Sequence, residues 1–330
     1  MTLLKLLTLI HTLYKRVWLS LLICFSVFLL AFIYGTTNQP QDFNFIDFTI
    51  LDQQIRRSNN LRNVDVLITG DSSGLSAIDP ISLEKHFKKK FQVLSTMGVV
   101  GPLGHIKLIE NYLKNNPRLE TLVFIWAPNS LRSTTPWEKH AIQGVRRTRN
   151  IYNLGRAVLR EKVFGGILSP TLEGEWLQYY LNSTNMINLL NKQHGTLIFP
   201  GTLVVSEPKM PYSYSISGNI KRKLREVRAR LEELPIDKIF LAIIPIGHYQ
   251  YYPTAETLRK RLTLNIQRLL GLPKESLLET PISLPNELYS NITHFNVKGR
   301  TVFTQILRKS LLKTLCNSNV KTSEECANIL

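Results

Sequence analysis

Cysteine is scarce here, with three in 330 residues. No Cys/His spacing of the kind that holds a structural zinc is present, and neither a metal nor a cofactor is expected. Cys316 and Cys326 lie ten apart near the C-terminus. A disulfide between them would close a tail loop, provided that end of the chain lies in an oxidising compartment. Acidic residues are also few, 24 against 41 Lys and Arg, for a net charge of +17, and none precedes Asp42. There is no internal repeat, which argues against a repeat array.

What stands where the acids are missing is a long apolar run. Lys5, Lys15 and Arg16 precede VWLSLLICFSVFLLAFIY, residues 17–34, which are uncharged and mostly apolar. About 17–25 such residues cross a bilayer as one helix, and the flanking basic residues favour an inside N-terminus. The expectation is a single-pass membrane anchor. Residues 1–35 form the cytoplasmic tip and transmembrane helix, and the main domain is periplasmic or extracellular. A cleaved signal peptide is the competing reading, but no Ala-x-Ala site follows Tyr34. With Lys5, Lys15 and Arg16 set aside, the rest carries +14 of the +17. Outside a membrane, that charge suits an anionic glycan, polymer or lipid surface, or an acidic protein, and not nucleic acid. The run KRKLREVRAR concentrates it, although a solvated helix face explains such a run equally well.

Downstream, GTTNQPQDFN reads as a polar connector and FIDFTILDQQIRRSNN as an amphipathic helix, in a connecting segment taken as residues 36–62. Val64, Val66, Leu67 and Ile68 predict a buried strand, cut off by Gly70-Asp71-Ser72-Ser73-Gly74. Asp79-Pro80 opens a helix, FQVLSTMG is a second strand, a helix covers about 105–115, and LETLVFIWAPNS is a third strand bounded by Pro128. This alternation predicts a parallel α/β architecture. The pattern loosens over residues 131–234, read as an insertion or lid. It returns at IDKIFLAIIPIG, a strand over 236–247, followed by a helix and then a closing helix from about Val297. Residues 63–315 thus form one α/β domain, and 316–330 a tail.

Ser72 follows the first predicted strand directly. A sharp strand-to-helix turn there would lift the hydroxyl out of the sheet and aim backbone N–H groups at a developing oxyanion. The plainer alternative is that Ser72 caps the next helix. A nucleophilic serine needs a base. Of seven histidines, His294, just before the last helix, and His248, after a strand, are the candidates.

At these residues the chain resembles the SGNH, or GDSL-like, hydrolase superfamily of α/β folds acting on esters and acyl groups. Gly70-Asp71-Ser72 is similar to the first block, with Ser72 as nucleophile. Thr96-Met97-Gly98-Val99-Val100-Gly101 looks like the second, with the Gly98 amide in the oxyanion hole. Ala127-Pro128-Asn129-Ser130 is similar to the third, Gly-x-Asn-Asp, with Asn129 as side-chain donor. Asn291-Ile292-Thr293-His294-Phe295-Asn296 looks like the last, Asp-x-x-His, with His294 as base. The resemblance implies a three-layer SGNH-like fold with a parallel sheet, preceded by one N-terminal transmembrane helix.

The departures bear on chemistry. Ala127 and Ser130 replace the family's glycine and aspartate at positions that are not donors. Asn291 stands where the family has its triad aspartate. A neutral amide cannot stabilise an imidazolium by charge and can hold the wrong tautomer; in a serine-protease triad the same exchange lowers kcat about 10⁴-fold. Some superfamily members work with a Ser–His dyad, and Glu287 or Asp71 could supply a carboxylate. The predicted anchor narrows the resemblance to accessory proteins of cell-envelope polysaccharide or teichoic-acid O-acylation. That implies an acyl ester on Ser72 and a membrane-bound O-acyltransferase or other multi-span envelope protein as partner. The alternatives are a catalytically impaired scaffold or glycan-binding component of a membrane complex, and a serine esterase. Ser72 Oγ within about 3.2 Å of a His294 nitrogen would favour an enzyme. An apolar side chain in that space would favour a non-catalytic role.

Overall fold

Short runs rich in β-branched residues, stiff at χ1 and suited to a pleated surface, pair into one parallel sheet. The computed structural model describes residues 11, 14–23, 25–26, 45–131, 138, 183–199, 201–203 and 214–317. The chain divides into two compact units, residues 1–45 with 146–169, and residues 46–145 with 170–330.

In the first unit, residues 14–23 are helical. They include Lys15, Arg16 and Ser20. Among the described residues, no helix is long and apolar enough to cross a membrane. The expected transmembrane helix over 17–34 is therefore corrected. The topology built on it, with a cytoplasmic N-terminus and a periplasmic or extracellular domain, loses its basis.

The second unit opens with α1 (Phe45–Asn60) and β1 (Val66–Gly70). Then come α2 (Ser72–Ala77), α3 (Pro80–Phe87), β2 (Phe91–Val93), α4 (Gly101–Leu113) and β3 (Leu119–Trp126). After α5 (Ser183–Lys192) and the basic helix α6 (Gly218–Glu233) come β4 (Ile236–Ile243) and β5 (Ile246–Gly247). The chain closes with α7 (Ala255–Leu270), β6 (Ser283–Leu284) and α8 (Val297–Asn317). The expected strand over 236–247 is broken at Ile244-Pro245, where proline has no N–H to give a ladder. Its second piece, β5, pairs with β6 in a separate parallel ribbon. Cys316 lies in the last turns of α8, and Cys326, its expected disulfide partner, lies outside the described residues.

The main sheet runs β2-β1-β3-β4, all parallel. Side chains alternate across it. Leu67, Leu122, Phe124, Leu241 and Ile243 face α4, α6 and α7, where Ile106, Leu224 and Ile266 are buried. Val66, Ile68, Val123, Ile125 and Phe240 face the other way, onto Ala77, Leu83, Phe303 and Leu307 of α2, α3 and α8. The result is a three-layer α/β/α arrangement in which each fully buried large aliphatic or aromatic side chain contributes about 1.5–3 kcal/mol. The chain passes from β1 to β2 on one side, then to β3 on the other. The order reverses between β1 and β3, and at such a switch point the loops leaving the strands open a crevice.

Candidate functional site

That crevice is organised by Asp71. β1 ends at Gly70, with φ +152° and so close to β3 that a Cβ would strike the Ile125 carbonyl oxygen; only glycine fits. Asp71 follows as the N-cap of α2, its Oδ1 accepting the N–H of Ser73 at 2.8 Å and of Gly74 at 3.4 Å. Ser72 is thus the first helical residue and not the cap, which removes the plainer reading of this serine. Asp71 Oδ2 accepts the Ala127 N–H at 2.6 Å and the Ser130 hydroxyl. The carboxyl is fully buried, which raises its pKa, while the bonds from Ser130, Ala127 and Ser73 pull the other way. One carboxylate therefore ties the loop after β1 to the loop after β3. Its acceptors are occupied, so Asp71 is not available to orient a histidine.

Gly98 completes this corner. A Cβ on it would lie 3.2 Å from Ser130 Oγ and 3.7 Å from Asp71 Cβ. Its loop is held by His105 on α4, a buried residue that sequence reasoning passed over. Trp126 Nε1 donates to His105 Nδ1 at 3.2 Å, and since indole nitrogen can only donate, the His105 proton sits on Nε2, 3.1 Å from Thr96 Oγ1. Burial lowers the pKa of His105 to about 3. Among the described residues, the Ser72 hydroxyl, the Gly98 N–H and the Asn129 amide have no hydrogen-bond partner.

His294 sits on the loop before α8. Asn291 Oδ1 accepts the N–H of Thr293 and of His294, both at 3.0 Å. That fixes which end of the amide is which: Asn291 Nδ2 must face the ring, and it donates to His294 Nδ1 at 2.9 Å. Nδ1 is therefore the acceptor, and a neutral ring carries its proton on Nε2. Burial lowers the pKa of His294 to about 4, so the ring is neutral at pH 7. Although the residue as a whole is only partly buried, Nε2 is fully buried and has no hydrogen-bond partner among the described residues.

The ring of Phe199 covers the imidazole, with centroids 4.4 Å apart and planes 15° from parallel. Phe199 also packs in a cluster with Ile50, Leu75 and Leu197, against which Met97 lies. Leu75 is on the helix that begins at Ser72, and Met97 precedes Gly98, so this cluster brings the last motif block to the first two. Phe199 lay in a Gly/Pro-rich stretch without periodicity, and the sequence carried no signal for it.

No hydrogen bond joins Ser72 to His294 among the described residues; an apolar ring covers the histidine instead. Glu287, the other suggested carboxylate, is exposed. His248, the rival base, is exposed as well. On the basic helix α6, Arg228 pairs with Glu232, Arg230 with Glu226 and with Glu110 of α4, and Lys223 with Glu138. The expected function, a membrane-anchored acyl-transfer protein, esterase or membrane-complex component of the cell envelope, is overturned. Its anchor is not met by any described helix, and its base carries a proton at the nitrogen that should accept one. Among the described residues, no three His, Cys, Asp or Glu side chains gather as a metal site. A cavity of about 460 Å³ lies at the amino end of the strands, lined by Asp65, Tyr112, Arg118 and Asp237 among others. Arg118 and Asp237 there bond to each other. Compared with protein-family models and with curated proteins, the chain matches none.

Proposed function

We propose that this domain binds, without covalent chemistry, a small uncharged ligand through an oxygen acceptor at the carboxyl ends of β1 and β3. The observation that carries this is the Asn291 amide, oriented by two backbone N–H groups so that it donates to His294 Nδ1. With its proton on Nε2, His294 is a donor and not a base. A buried donor without a partner costs about 1–3 kcal/mol, and a ligand oxygen would satisfy it. The Ser72 hydroxyl, the Gly98 N–H and the Asn129 amide are further donors, on the loops that leave β1, β2 and β3. His294 is neutral at pH 7 and Asp71 is buried beside Ser72, so the site offers no positive charge to an anion. A carbonyl or hydroxyl oxygen is the fitting acceptor.

The likeness to SGNH blocks belongs to the same proposal. The family's oxyanion donors are kept, while an asparagine in place of the aspartate turns the histidine from acceptor to donor. A serine-directed fluorophosphonate tests this by intact mass. Wild type is expected to form no adduct, and Asn291→Asp to form one at Ser72, because a carboxylate accepts a hydrogen bond from Nδ1–H, which holds the ring proton there and leaves Nε2 free to accept. Rapid labelling of wild-type Ser72 would overturn the non-covalent reading.

A further inference from the structure

α6 and α7 lie side by side on one face of the sheet. Each buries one stripe, Ile220, Leu224, Val227 and Leu231 on α6 and Ala255, Leu262, Ile266 and Leu270 on α7. Two contacts fix their alignment. Tyr214 and Tyr252, just before the two helices, have ring centroids 6.4 Å apart. At the other end Arg228 reaches Gly271, where a Cβ would meet its Nε at 2.6 Å. The helices therefore run parallel. At 3.6 residues per turn Lys221 and Arg225 share the stripe of Arg228, so all three border α7. Lys223 and Arg230 lie on the opposite flank, paired with Glu138 and with Glu110 of α4.

The flanks of α7 divide in the same way. Arg259 bonds to the carbonyls of Ile243, Thr280 and Pro281. Those last two residues lie past the edge of β4 that β3 does not occupy, where Leu278 N–H donates to the Leu241 carbonyl. Arg261 and Arg268, seven residues apart on the other flank, are thus turned toward α6. The seam gathers Lys221, Arg225 and Arg228 from one helix and Arg261 and Arg268 from the other, all exposed. α6 carries six basic residues against three acidic, and α7 four against one. Glu232, one turn after Arg228, is already paired with it. Among the described residues, Lys221, Arg225, Arg261 and Arg268 have neither an ion pair nor a side-chain hydrogen bond. A solvated helix face ordinarily sets opposite signs one turn apart, whereas Lys221 and Arg225 are like charges at that spacing.

We infer that this seam binds a linear, phosphate-bearing polyanion laid along the two helices. Guanidinium forks take phosphate oxygens in pairs. Cations about 4.5–6 Å apart along the helix axis suit a chain that carries charge at short, regular intervals. Neither helix contains an aromatic residue. The seam therefore offers no platform for bases and none of the aromatic anchors that centre a protein interface. Among the described residues of α6 no large apolar side chain is exposed, and on α7 only Leu264 is, which leaves little to insert into a lipid surface. The inference does not rest on the crevice ligand.

Isothermal titration of the full-length protein with inorganic polyphosphate over a range of salt tests it. Wild type is expected to bind, with log K falling against log salt at a slope of about −3, as for four neutralised phosphates. Lys221→Ala with Arg225→Ala, Arg261→Ala and Arg268→Ala is expected to weaken binding at least about 100-fold at low salt and to flatten the slope. Arg222→Ala with Lys260→Ala removes two exposed cations outside the seam, and is expected to stay within about threefold of wild type. Equal losses in the two variants, or a loss in neither, would overturn the seam. Tighter binding to a DNA duplex or to anionic lipid vesicles than to polyphosphate would overturn the assigned partner. Should the fourfold variant lose its wild-type urea midpoint, Arg225→Gln with Arg261→Gln carries the same test with a smaller fall.

Discussion

His105 and His294 are two histidines in the same chemical state and opposite circumstances. Each is neutral because burial depresses its pKa, to about 3 and about 4. Each accepts at Nδ1 from a group that fixes its tautomer, Trp126 in one case and Asn291 in the other. They differ at Nε2. His105 spends that proton on Thr96, whereas the Nε2 of His294 is buried and unpartnered among the described residues. A buried histidine with both nitrogens satisfied is a structural part. One with a donor left over is where a fold has room for something else.

The comparison is broken most severely at His105. His105→Ala would open a cavity and leave the Trp126 N–H unpaired, and is expected to cost about 3–5 kcal/mol in urea unfolding. His294→Phe keeps the stack on Phe199 and removes the orphan donor but leaves the part-buried Asn291 amide without its acceptor, and is expected to cost about 1–2 kcal/mol, less than His105→Ala. Equal losses would mean that the two sites are not different in kind.

Acid is the next test. A histidine held neutral in the fold, below its ordinary pKa of 6.5, favours folding fully above that value. The unfolded chain takes up its proton as pH falls, so stability is lost from about pH 6.5 down to the folded value, about 4 for His294 and about 3 for His105. For His294 the loss is on the order of 2–3 kcal/mol. Urea midpoints measured from pH 7 to pH 4 should fall less steeply in His294→Phe than in wild type. Identical slopes would mean that His294 is not held neutral.

Asp71→Asn tests the corner where the loops after β1 and β3 are joined. An amide cannot accept everything the carboxylate does, and its NH2 would face a donor. A loss of about 2 kcal/mol is expected by the same unfolding measurement. A stable variant would show that the loops after β1 and β3 are joined by something else. The smallest effect belongs to Ser72→Ala, within about 0.5 kcal/mol, because the hydroxyl has no partner to lose. A larger loss would give Ser72 a structural role.

The sheet was legible because it is written in short-range pattern. Apolar β-branched runs, Gly70 and the Asp79-Pro80 helix start mark β1 to β3 within a few residues of where they lie. The break at Pro245 was legible too, but the continuous apolar run over 236–247 outweighed it. The SGNH-like blocks pointed to Ser72, Gly98, Asn129 and His294 one by one, and the fold brings the loops carrying them to one end of the sheet. What sequence could not show is which way an amide faces or what lies over a ring. Asn291 was visible as a missing charge. Its effect on the tautomer depends on two backbone N–H groups that only the loop geometry supplies. Phe199 meets His294 across 90 or more positions of chain, and no local pattern encodes such a contact. The apolar run at 17–34 misled in the opposite sense, since its composition predicted a span that no described helix provides.

The central claim is that His294 donates at Nε2, and its most direct test is the imidazole tautomer at pH 7 in wild type and Asn291→Asp. Ring nitrogen shifts placing the proton on Nε2 in wild type, and on Nδ1 once aspartate replaces Asn291, are the expected result. A wild-type proton on Nδ1 would make His294 a base after all, and would contradict the binding role assigned to this site.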